Sequence, residues 1–517
     1  MNETPATPSK RFTWAVFALL VVHVVYFAYR TRACFIDDAY IDLQYLRNLL
    51  AGHGFVFHPG GPVVEGVTNV GWLLCLTPFA LVFEPTVAAK LLGLALLLLA
   101  FWLTFRLAMK LAAASNQRHR PIAGLAIVPL VLLLSSFDFL YFSLAGMETA
   151  LLAVVLLSMA WIAMRRPDSF WLPVAGAFAF LVHPEAIVVF PLYTLLVLET
   201  AKADQRRLLL GNLVLAVLVG LATAVRFGYF NDVLPNTFHS KPSDFSRIIA
   251  GGFSFLSARN VNIPFPITGW LALPVLLLGY LRLRRTAPQA TAMLGAITVT
   301  GLAFGVYSLP DWTEMGRYFA PYLPAALILF WTGTVEVIRR LLATVSMRPA
   351  RQLAAAAIIV LLALIGVFNG MKKMARMDDF PGYVLASRNL VGPSRWIGES
   401  TPADATIACR RIGALAYFSG RTILDYTSGL PDREVARLVS ASGHRFNLPT
   451  DPALAELWLD RSPDYLLEDA EIIDLIAAVT GGTRQRFTVH GIPYGVTRSF
   501  QIGPGKHWML TRRLDAP

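Results

Sequence analysis

The sequence predicts an α-helical membrane protein with many spans, followed by a C-terminal α/β domain. The 517 residues are 56% hydrophobic and only 15% charged, with a mean hydropathy of +0.55, whereas a soluble domain carries about 25% charged residues. Apolar runs of the length that crosses a bilayer recur along the chain up to residue 369. Beyond that point charged residues return, and short β-like runs alternate with helix-like stretches.

About eleven apolar runs fit the length of a membrane span. The first, 12–29, is long for a signal-peptide core and no small-residue cleavage site follows it, so we expect it to be retained. The run 70–83 is apolar but short, which is typical of a re-entrant or interfacial helix. The other spans are expected at 86–106, 121–140, 148–164, 171–183, 186–200, 208–226, 261–281, 289–309, 318–338 and 352–369.

The basic residues orient these spans. Lys10 and Arg11 precede the first span, and every second loop after it is basic, as the positive-inside rule requires of cytoplasmic loops. An odd number of spans then places 1–11 inside, the loop 33–85 outside and the segment 370–517 outside, with the transmembrane domain over 12–369. The net charge of +12 therefore reflects membrane orientation, and no basic, aromatic-interleaved face indicates nucleic-acid binding.

The segment 370–517 predicts a small α/β domain outside the membrane. Its glycines around 413–420 have neither the spacing nor the lysine of a phosphate-binding loop. The three cysteines of the chain are too few for a disulfide framework. Strands are expected at 406–409, 422–425, 464–467, 486–489 and 507–510, and helices near 382–398, 432–442, 452–460 and 470–480.

Two adjacent acids, Asp37 and Asp38, lie just after the first span. One aspartate suffices to cap a helix, whereas two neighbouring carboxylates repel each other. Desolvation at an apolar boundary raises the pKa of a carboxyl group, which suits a general base. A carboxylate could instead hold a divalent cation against a phosphate. The metal dependence and the choice between the two acids stay open, with Asp37 preferred.

Further polar residues gather in the loops assigned to the outer side. His53, His58 and His239, with Glu65, are candidate ligands for a metal or a phosphate, although their spacing matches no zinc motif. The alternative is a structural role for each. The segment 65–69, which includes Thr68 and Asn69, is either part of a polar pocket or an ordered turn.

Other candidates interrupt or adjoin the apolar runs. His183 and Glu185 flank a proline inside an apolar region, and an intramembrane ionisable pair is a functional hypothesis by default. Lys241, near Asn236 and His239, could neutralise a lipid phosphate or extend to the headgroups. Arg317, close to Asp311, offers a planar fork that matches phosphate. Glu148 is either a functional acid or a cap of the fourth span.

Several of these residues belong to segments that resemble a known family. Asp37-Asp-Ala-Tyr-Ile, Arg47-Asn48, Gly52-His-Gly-Phe-Val-Phe and Val64-Glu-Gly-Val-Thr-Asn-Val-Gly-Trp72 resemble the first-loop signature of polyprenyl-phosphate-dependent glycosyltransferases with the multi-span GT-C architecture. The nearest group contains the bacterial cell-wall terminal arabinofuranosyltransferases. The segments 146–149, 234–241 and 311–317 are similar to further family segments, in matching order, and the resemblance covers about residues 12–340.

The sequence also departs from that family. His58-Pro59 replaces Asn-Pro, Val67 replaces an aromatic residue, and His183-Pro-Glu replaces Arg-Pro-Glu. These changes bear on which sugar and which acceptor are used.

The resemblance implies a sugar carried on polyprenyl phosphate and used on the outer face of the bacterial cytoplasmic membrane, within the lipid bilayer. The acceptor would be a cell-envelope glycan or glycoprotein, and arabinofuranose is one example of the sugar. Asp37 and Asp38 match the position of the catalytic base, and Tyr40 and Arg47 fall within the motif as substrate-binding candidates. Two alternatives remain: a transporter or lipid flippase of the envelope pathway, and a non-catalytic scaffold that binds envelope polymers.

Overall fold

The structure is a computed structural model that describes residues 10–115, 127–198, 204–239, 269–308, 316–344, 384–441, 449–503 and 505–515, with short helical pieces between 353 and 372. The chain forms two compact units. The helical unit comprises Met1–Arg32, Ala89–Leu221 and Asp244–Met377. The mixed unit comprises Ala33–Ala88, Ala222–Ser243 and Asp378–Pro517, so that the first loop belongs with the C-terminal segment.

The described helices follow one another along both units. In chain order they are α1 (Lys10–Arg30), α2 (Asp37–Leu50), α3 (Val70–Ala80), α4 (Pro85–Ser115), α5 (Val128–Leu134), α6 (Phe137–Leu144), α7 (Thr149–Arg165), α8 (Trp171–Val182), α9 (Val189–Leu198), α10 (Gln205–Phe230), α11 (Asn236–His239), α12 (Gly269–Arg284), α13 (Pro288–Tyr307), α14 (Leu323–Leu341), α15 (Val384–Ser400), α16 (Ile412–Ser419), α17 (Arg433–Ala441), α18 (Ala455–Arg461) and α19 (Ala470–Thr480). Single 3₁₀ turns lie at Pro184–Val188, Ala320–Tyr322, Leu342–Thr344 and Pro452–Leu454.

Four described helical segments are long and apolar enough to cross a membrane. They are Pro85–Ala114, Gln205–Phe230, Pro288–Tyr307 and Ala320–Leu341, and a fifth span results if α6 and α7, which meet at a bend of 112°, count as one. A helical membrane protein is therefore confirmed. The predicted total of about eleven spans is not reached by membrane-length helices in the described part of the chain.

Three of the predicted spans differ in the structure. The continuous span over 121–140 is wrong in its described part, because α5 ends before Ser135 and the side chain of Ser136 caps α6 by accepting the N–H of Phe139 at 3.4 Å. Residues 121–126 of that span, like 261–268 of another, lie outside the described residues. The spans expected at 171–183 and 186–200 correspond to short apolar helices, which Pro184 separates.

Glycines allow two helices of the helical unit to cross closely. A Cβ on Gly279 of α12 would lie 1.9 Å from the carbonyl oxygen of Leu329 in α14, and a Cβ on Gly333 of α14 would lie 1.9 Å from that of Val275. Without a hydrophobic force between helices in lipid, such backbone approach supplies much of the packing energy. This crossing therefore tolerates no side chain at either glycine.

The mixed unit contains a six-stranded sheet in the order β2-β1-β3-β6-β5-β4. The strands are β1 (Thr406–Cys409), β2 (Thr422–Asp425), β3 (Tyr465–Asp469), β4 (Arg486–Val489), β5 (Ile492–Gly503) and β6 (Lys506–Arg513). The pairs β1–β2 and β1–β3 are parallel, and the remaining pairs are antiparallel.

Buried apolar side chains pack around this sheet. Trp458 of α18, Val435 of α17 and Ile476 of α19 are fully buried in one cluster with Leu466 of β3 and Tyr494 of β5. The predicted α/β domain is thus confirmed. Two of its elements, α16 and β5, were not predicted, and β5 contains glycine and proline, which are uncommon inside strands.

Candidate functional site

The predicted site residues that the structure describes are divided between the two units. In the mixed unit, Asp37 and Asp38 form the first turn of α2, and both side chains are partly exposed. The carboxylate of Asp37 accepts the backbone N–H of Gly413 at 3.0 Å and that of Ala414 at 2.8 Å. These N–H groups belong to the first turn of α16, whose free donors and dipole favour an anion. Asp37 therefore joins the first loop to the C-terminal domain.

The pKa of Asp37 responds to opposing influences. Desolvation by the surrounding protein raises the pKa most strongly, and the charge of Asp38 raises it further. The two N–H donors and the guanidinium of Arg411 lower it, and the net result is a raised pKa. The raised pKa suits a proton acceptor, yet each oxygen of Asp37 already accepts one hydrogen bond. Asp37 is thus held in place by two backbone donors while its pKa is raised.

Gly413 makes this contact possible. A Cβ at position 413 would lie 2.0 Å from the backbone oxygen of Asp37 and 3.1 Å from its carboxyl carbon. Only a residue without a side chain allows the two helix starts to approach so closely.

Arg47 and Tyr40 contact the same helix. Arg47 donates to the carbonyl oxygen of Tyr417 at 2.7 Å, and its guanidinium lies 4.7 Å from the centre of that ring. Tyr40 is 3% exposed, and its ring packs against Tyr417 and Phe418. The hydroxyl of Tyr417 donates to Glu84 at 2.6 Å. Both motif residues thus support the contact between the first loop and α16.

The first-loop histidines differ in environment. His53 is exposed at the end of α2. The backbone N–H of Ile423 in β2 donates to Nε2 of His58 at 3.0 Å, and burial lowers the pKa of His58 to about 4. His58 is therefore neutral at pH 7, and it contacts the edge strand β2.

Glu65 and Asn69 are buried inside the mixed unit. Glu65 is 3% exposed and forms a bidentate pair with Arg226, at 2.6 and 3.2 Å. Burial raises the pKa of Glu65 and the guanidinium of Arg226 opposes the rise. Asn69 donates to Asp42 at 2.6 Å, while Thr68 beside it is half-buried. Glu65 and Asn69 thus both contact other segments of the mixed unit.

Asn236 and His239 also make contacts within the mixed unit. Asn236 is 3% exposed and donates to the carbonyl oxygens of Gly429 and Leu430 at 2.6 and 3.1 Å. His239 pairs with Asp232 at 3.3 Å. Lys241 and Asp311 lie outside the described residues.

The helical unit brings three predicted residues together. Nδ1 of His183 contacts Glu185, and Nε2 lies 3.9 Å from Glu148. The hydroxyl of Tyr322 donates to Glu185 at 2.8 Å. Glu148 follows the bend between α6 and α7, where Gly146 has a φ of +88°. The prediction that His183 and Glu185 form a polar pair in an apolar region agrees with this arrangement.

Aromatic rings and a further acid adjoin this cluster. Phe304 and Tyr318 pack edge-on against His183, and the guanidinium of Arg317 lies 5.4 Å from the centre of the Tyr318 ring. Asp138, which is 4% exposed, accepts the backbone N–H of Gly316 at 3.4 Å. Arg317 and His183 thus both contact the ring of Tyr318.

The described residues offer no obvious metal site. Among them, no group of three or more His, Cys, Asp or Glu side chains could hold a metal ion. At Asp37 the carboxylate faces two N–H donors, a surrounding that suits an anion rather than a cation.

Several contributing residues were not predicted. Arg226 and Asp138 are single ionisable residues inside predicted apolar spans, which is a signal that sequence alone provides. Tyr322 gave no such signal, because tyrosines are common near membrane boundaries. Gly413 was not predicted either, because the glycines around it lack a phosphate-binding pattern. Its partner is the side chain of Asp37, which lies 376 positions away in the sequence.

Comparisons with known proteins address the family resemblance. The chain is 26% identical over 332 residues to the terminal beta-(1->2)-arabinofuranosyltransferase of Mycobacterium tuberculosis. The match covers 55% of this chain and 49% of that relative, so the chain spans about half the length of the curated relative. The resemblance drawn from the first-loop motifs is thereby confirmed. Residues 385–511 match a family described as Domain of unknown function (DUF8728).

Two solved structures share the fold. ArnT from Cupriavidus metallidurans in the apo state gives a TM-score of 0.54, and the same protein bound to undecaprenyl phosphate gives 0.56. Each is 14% identical, and each comparison covers 97% of this chain and 98% of ArnT. The fold is accordingly similar to that of ArnT, with a C-terminal sheet domain in this chain.

Proposed function

We propose that this protein is a glycosyltransferase of the GT-C type, which moves a sugar from a polyprenyl-phosphate donor to a hydroxyl group of an acceptor. The observation that carries the proposal is the acid pair in the first turn of α2. Asp37 is fixed on the N-terminus of α16, and Asp38 follows it in the same turn with a partly exposed side chain. A carboxylate on a rigid element, supported by a neighbouring anchor, is the arrangement that general-base catalysis requires.

In the proposed mechanism the two acids have separate roles. Asp38 accepts the proton of the acceptor hydroxyl as its oxygen attacks the anomeric carbon. Asp37 is a positioning residue, because its oxygens accept the N–H groups of Gly413 and Ala414. The bond to the phosphate oxygen breaks in the same step, so the anomeric centre is inverted. The leaving polyprenyl phosphate gains negative charge, which a cationic side chain stabilises.

Arg317 is the proposed cation, with Lys241 as a second candidate. An arginine fork can donate two parallel hydrogen bonds to a phosphate. We assign Glu148, His183 and Glu185 to the hydroxyl groups of the donor sugar, since their contacts through His183 hold three polar side chains together in the helical unit. Arabinofuranose is the proposed sugar, supported by the similarity to a terminal arabinofuranosyltransferase.

The proposal includes a topology. About eleven spans over 12–369 would place the N-terminus in the cytoplasm, and the first loop and 370–517 on the outer face of the bacterial inner membrane. The acceptor would then be a glycan or glycoprotein of the cell envelope. A protease-protection experiment on sealed vesicles, with tags at both termini, tests this orientation.

A lipid flippase is the second candidate. The bend of 112° between α6 and α7, with Glu148 beside it, resembles the broken helices that line transport paths. A flippase would move the lipid-linked sugar between leaflets and leave its phosphate bond intact. The two candidates therefore differ in whether polyprenyl phosphate is released.

The test is a transfer assay with the full chain in nanodiscs. The donor is a synthetic polyprenyl-phospho-arabinofuranose with a radiolabelled sugar, and the acceptor is a synthetic arabinofuranose oligosaccharide. We expect a labelled, elongated product and an equal amount of free polyprenyl phosphate. Absence of product with arabinose, hexose and aminosugar donors alike, while proteoliposomes flip the labelled lipid, would replace the proposal with the flippase.

A further inference from the structure

Charged side chains gather where the parallel strands β1 and β3 of the mixed unit end. Strands β1 and β3 are parallel neighbours. The chain leaves β1 through α16 towards β2 on one side, and leaves β3 through α19 towards β4 at the opposite edge. Connections that diverge from two adjacent parallel strands open a crevice at their carboxyl ends, where α/β sheets bind their ligands.

Polar side chains line this crevice. Arg410 follows β1 and contacts Glu468 at 2.9 Å and Asp469 at 3.4 Å, both at the end of β3. Arg411 lies 3.6 Å from Asp469. Glu468 is buried and also accepts a hydrogen bond from the hydroxyl of Tyr426 at 2.5 Å. It therefore anchors the neighbouring charged side chains. Side chains of both arginines and of Asp469 remain 27–33% exposed.

The charges of this group nearly cancel. Two guanidinium groups face Glu468 and Asp469, and the anchored carboxylate of Asp37 lies close enough to Arg411 for their charges to interact. Such a balance gives little net attraction for an ion. It does present directional donors and an acceptor side by side, because a guanidinium has five N–H donors and a carboxylate has two acceptor oxygens. A hydroxyl group both donates and accepts, so neighbouring hydroxyls of a neutral sugar match this surface.

We infer that the crevice between β1 and β3 binds a saccharide through Arg411 and Asp469, and that this saccharide is the acceptor. The identification of this saccharide as the acceptor rests on the proposed function. Saccharide binding by the crevice does not depend on it. The crevice adjoins α16, on which Asp37 is anchored next to Asp38. The acceptor would thus bind on the same structural element that holds the catalytic turn.

Two conservative variants test the inference in the full chain. Asp469→Asn and Arg411→Gln each remove a charge while Glu468 and Arg410 keep their contact. The matched controls are Asp474→Asn and Arg484→Gln, which break an exposed Arg–Asp pair of the same domain. The probe is a synthetic arabinofuranose hexasaccharide, with a mannose hexasaccharide for comparison.

Binding is measured by saturation-transfer NMR in the Asp38→Asn background, and kinetics in the otherwise native chain. We expect each crevice variant to weaken binding and to raise the acceptor KM about tenfold, which corresponds to one hydrogen bond. The donor KM, kcat and both control variants should keep native values. Native acceptor KM and native binding in both crevice variants would overturn the inference.

The two proposals fail in different ways. If hexasaccharide binding depends on Asp469 but no donor supports transfer, the saccharide site stands and the glycosyltransferase proposal falls. If transfer occurs with a native acceptor KM in both variants, the glycosyltransferase stands and this site falls. Absence of binding by the Asp38→Asn chain to either hexasaccharide also contradicts the inference.

Discussion

Gly413→Ala should misplace the catalytic turn without touching either acid. The new Cβ would lie 2.0 Å from the backbone oxygen of Asp37, and such contacts are essentially never shorter than 3.0 Å, so the two helix starts must separate by about 1 Å. A displacement of that size costs about 10²-fold in rate. The loss of one of the two charge-assisted hydrogen bonds to Asp37 adds about 1.5–3 kcal/mol of instability.

The assay for this variant separates position from folding. We would measure kcat for transfer at saturating donor and acceptor, and the thermal unfolding midpoint of the same preparation. Gly392→Ala in α15 is the control, because a Cβ there meets no atom within 4 Å and the helix gains from the substitution. A folded Gly413→Ala protein with the kcat of the control would refute the role of α16 in placing the acid pair.

Three further predictions concern stability. Glu65→Gln should lower the free energy of unfolding by about 3–5 kcal/mol, because it removes the ion pair between Glu65 and the buried Arg226. Adding Arg226→Met should recover part of that loss in a double-mutant cycle measured by denaturation. Additive losses would contradict the pairing. Gly333→Ala should lower the melting temperature strongly. Gly220→Ala should not, because a Cβ at position 220 has no atom within 4 Å. Equal melting temperatures of the two variants would exclude the close helix crossing. Burial lowers the pKa of His58 to about 4, so between about pH 6.5 and pH 4 the unfolded chain takes up a proton that the folded chain does not, and stability falls as pH falls through that window. Melting curves at pH 7.5 and 5.5 should show a smaller drop in His58→Gln than in the native chain, and equal drops would contradict this.

The sequence predicted what depends on local pattern. Hydropathy located the long helices, such as Gln205–Phe230, because a bilayer-length apolar run is a property of the segment itself. Short β-like runs likewise located β1, β2 and β3 within two residues. The break at Ser135 and Ser136 was missed, since an apolar run shows its length but not an internal cap.

Long-range partners could not be predicted in the same way. The motif singled out Asp37, Glu65 and Asn236 as functional candidates, yet each side chain makes a structural contact with a distant segment. Partners such as Arg226 follow from the tertiary fold, and one sequence does not indicate which distant groups meet. The motif residues of the first loop therefore include a candidate catalytic residue, Asp38, and residues that stabilise the structure around it.

The most direct test of the central claim compares Asp37→Asn with Asp38→Asn in the nanodisc transfer assay. If Asp38 is the base, Asp38→Asn should lower kcat by about 10³-fold with little change in melting temperature, within the range that general-base catalysis contributes. Asp37→Asn should retain more activity, lose stability and share the defect of Gly413→Ala. Transfer at the native rate by Asp38→Asn would contradict the account.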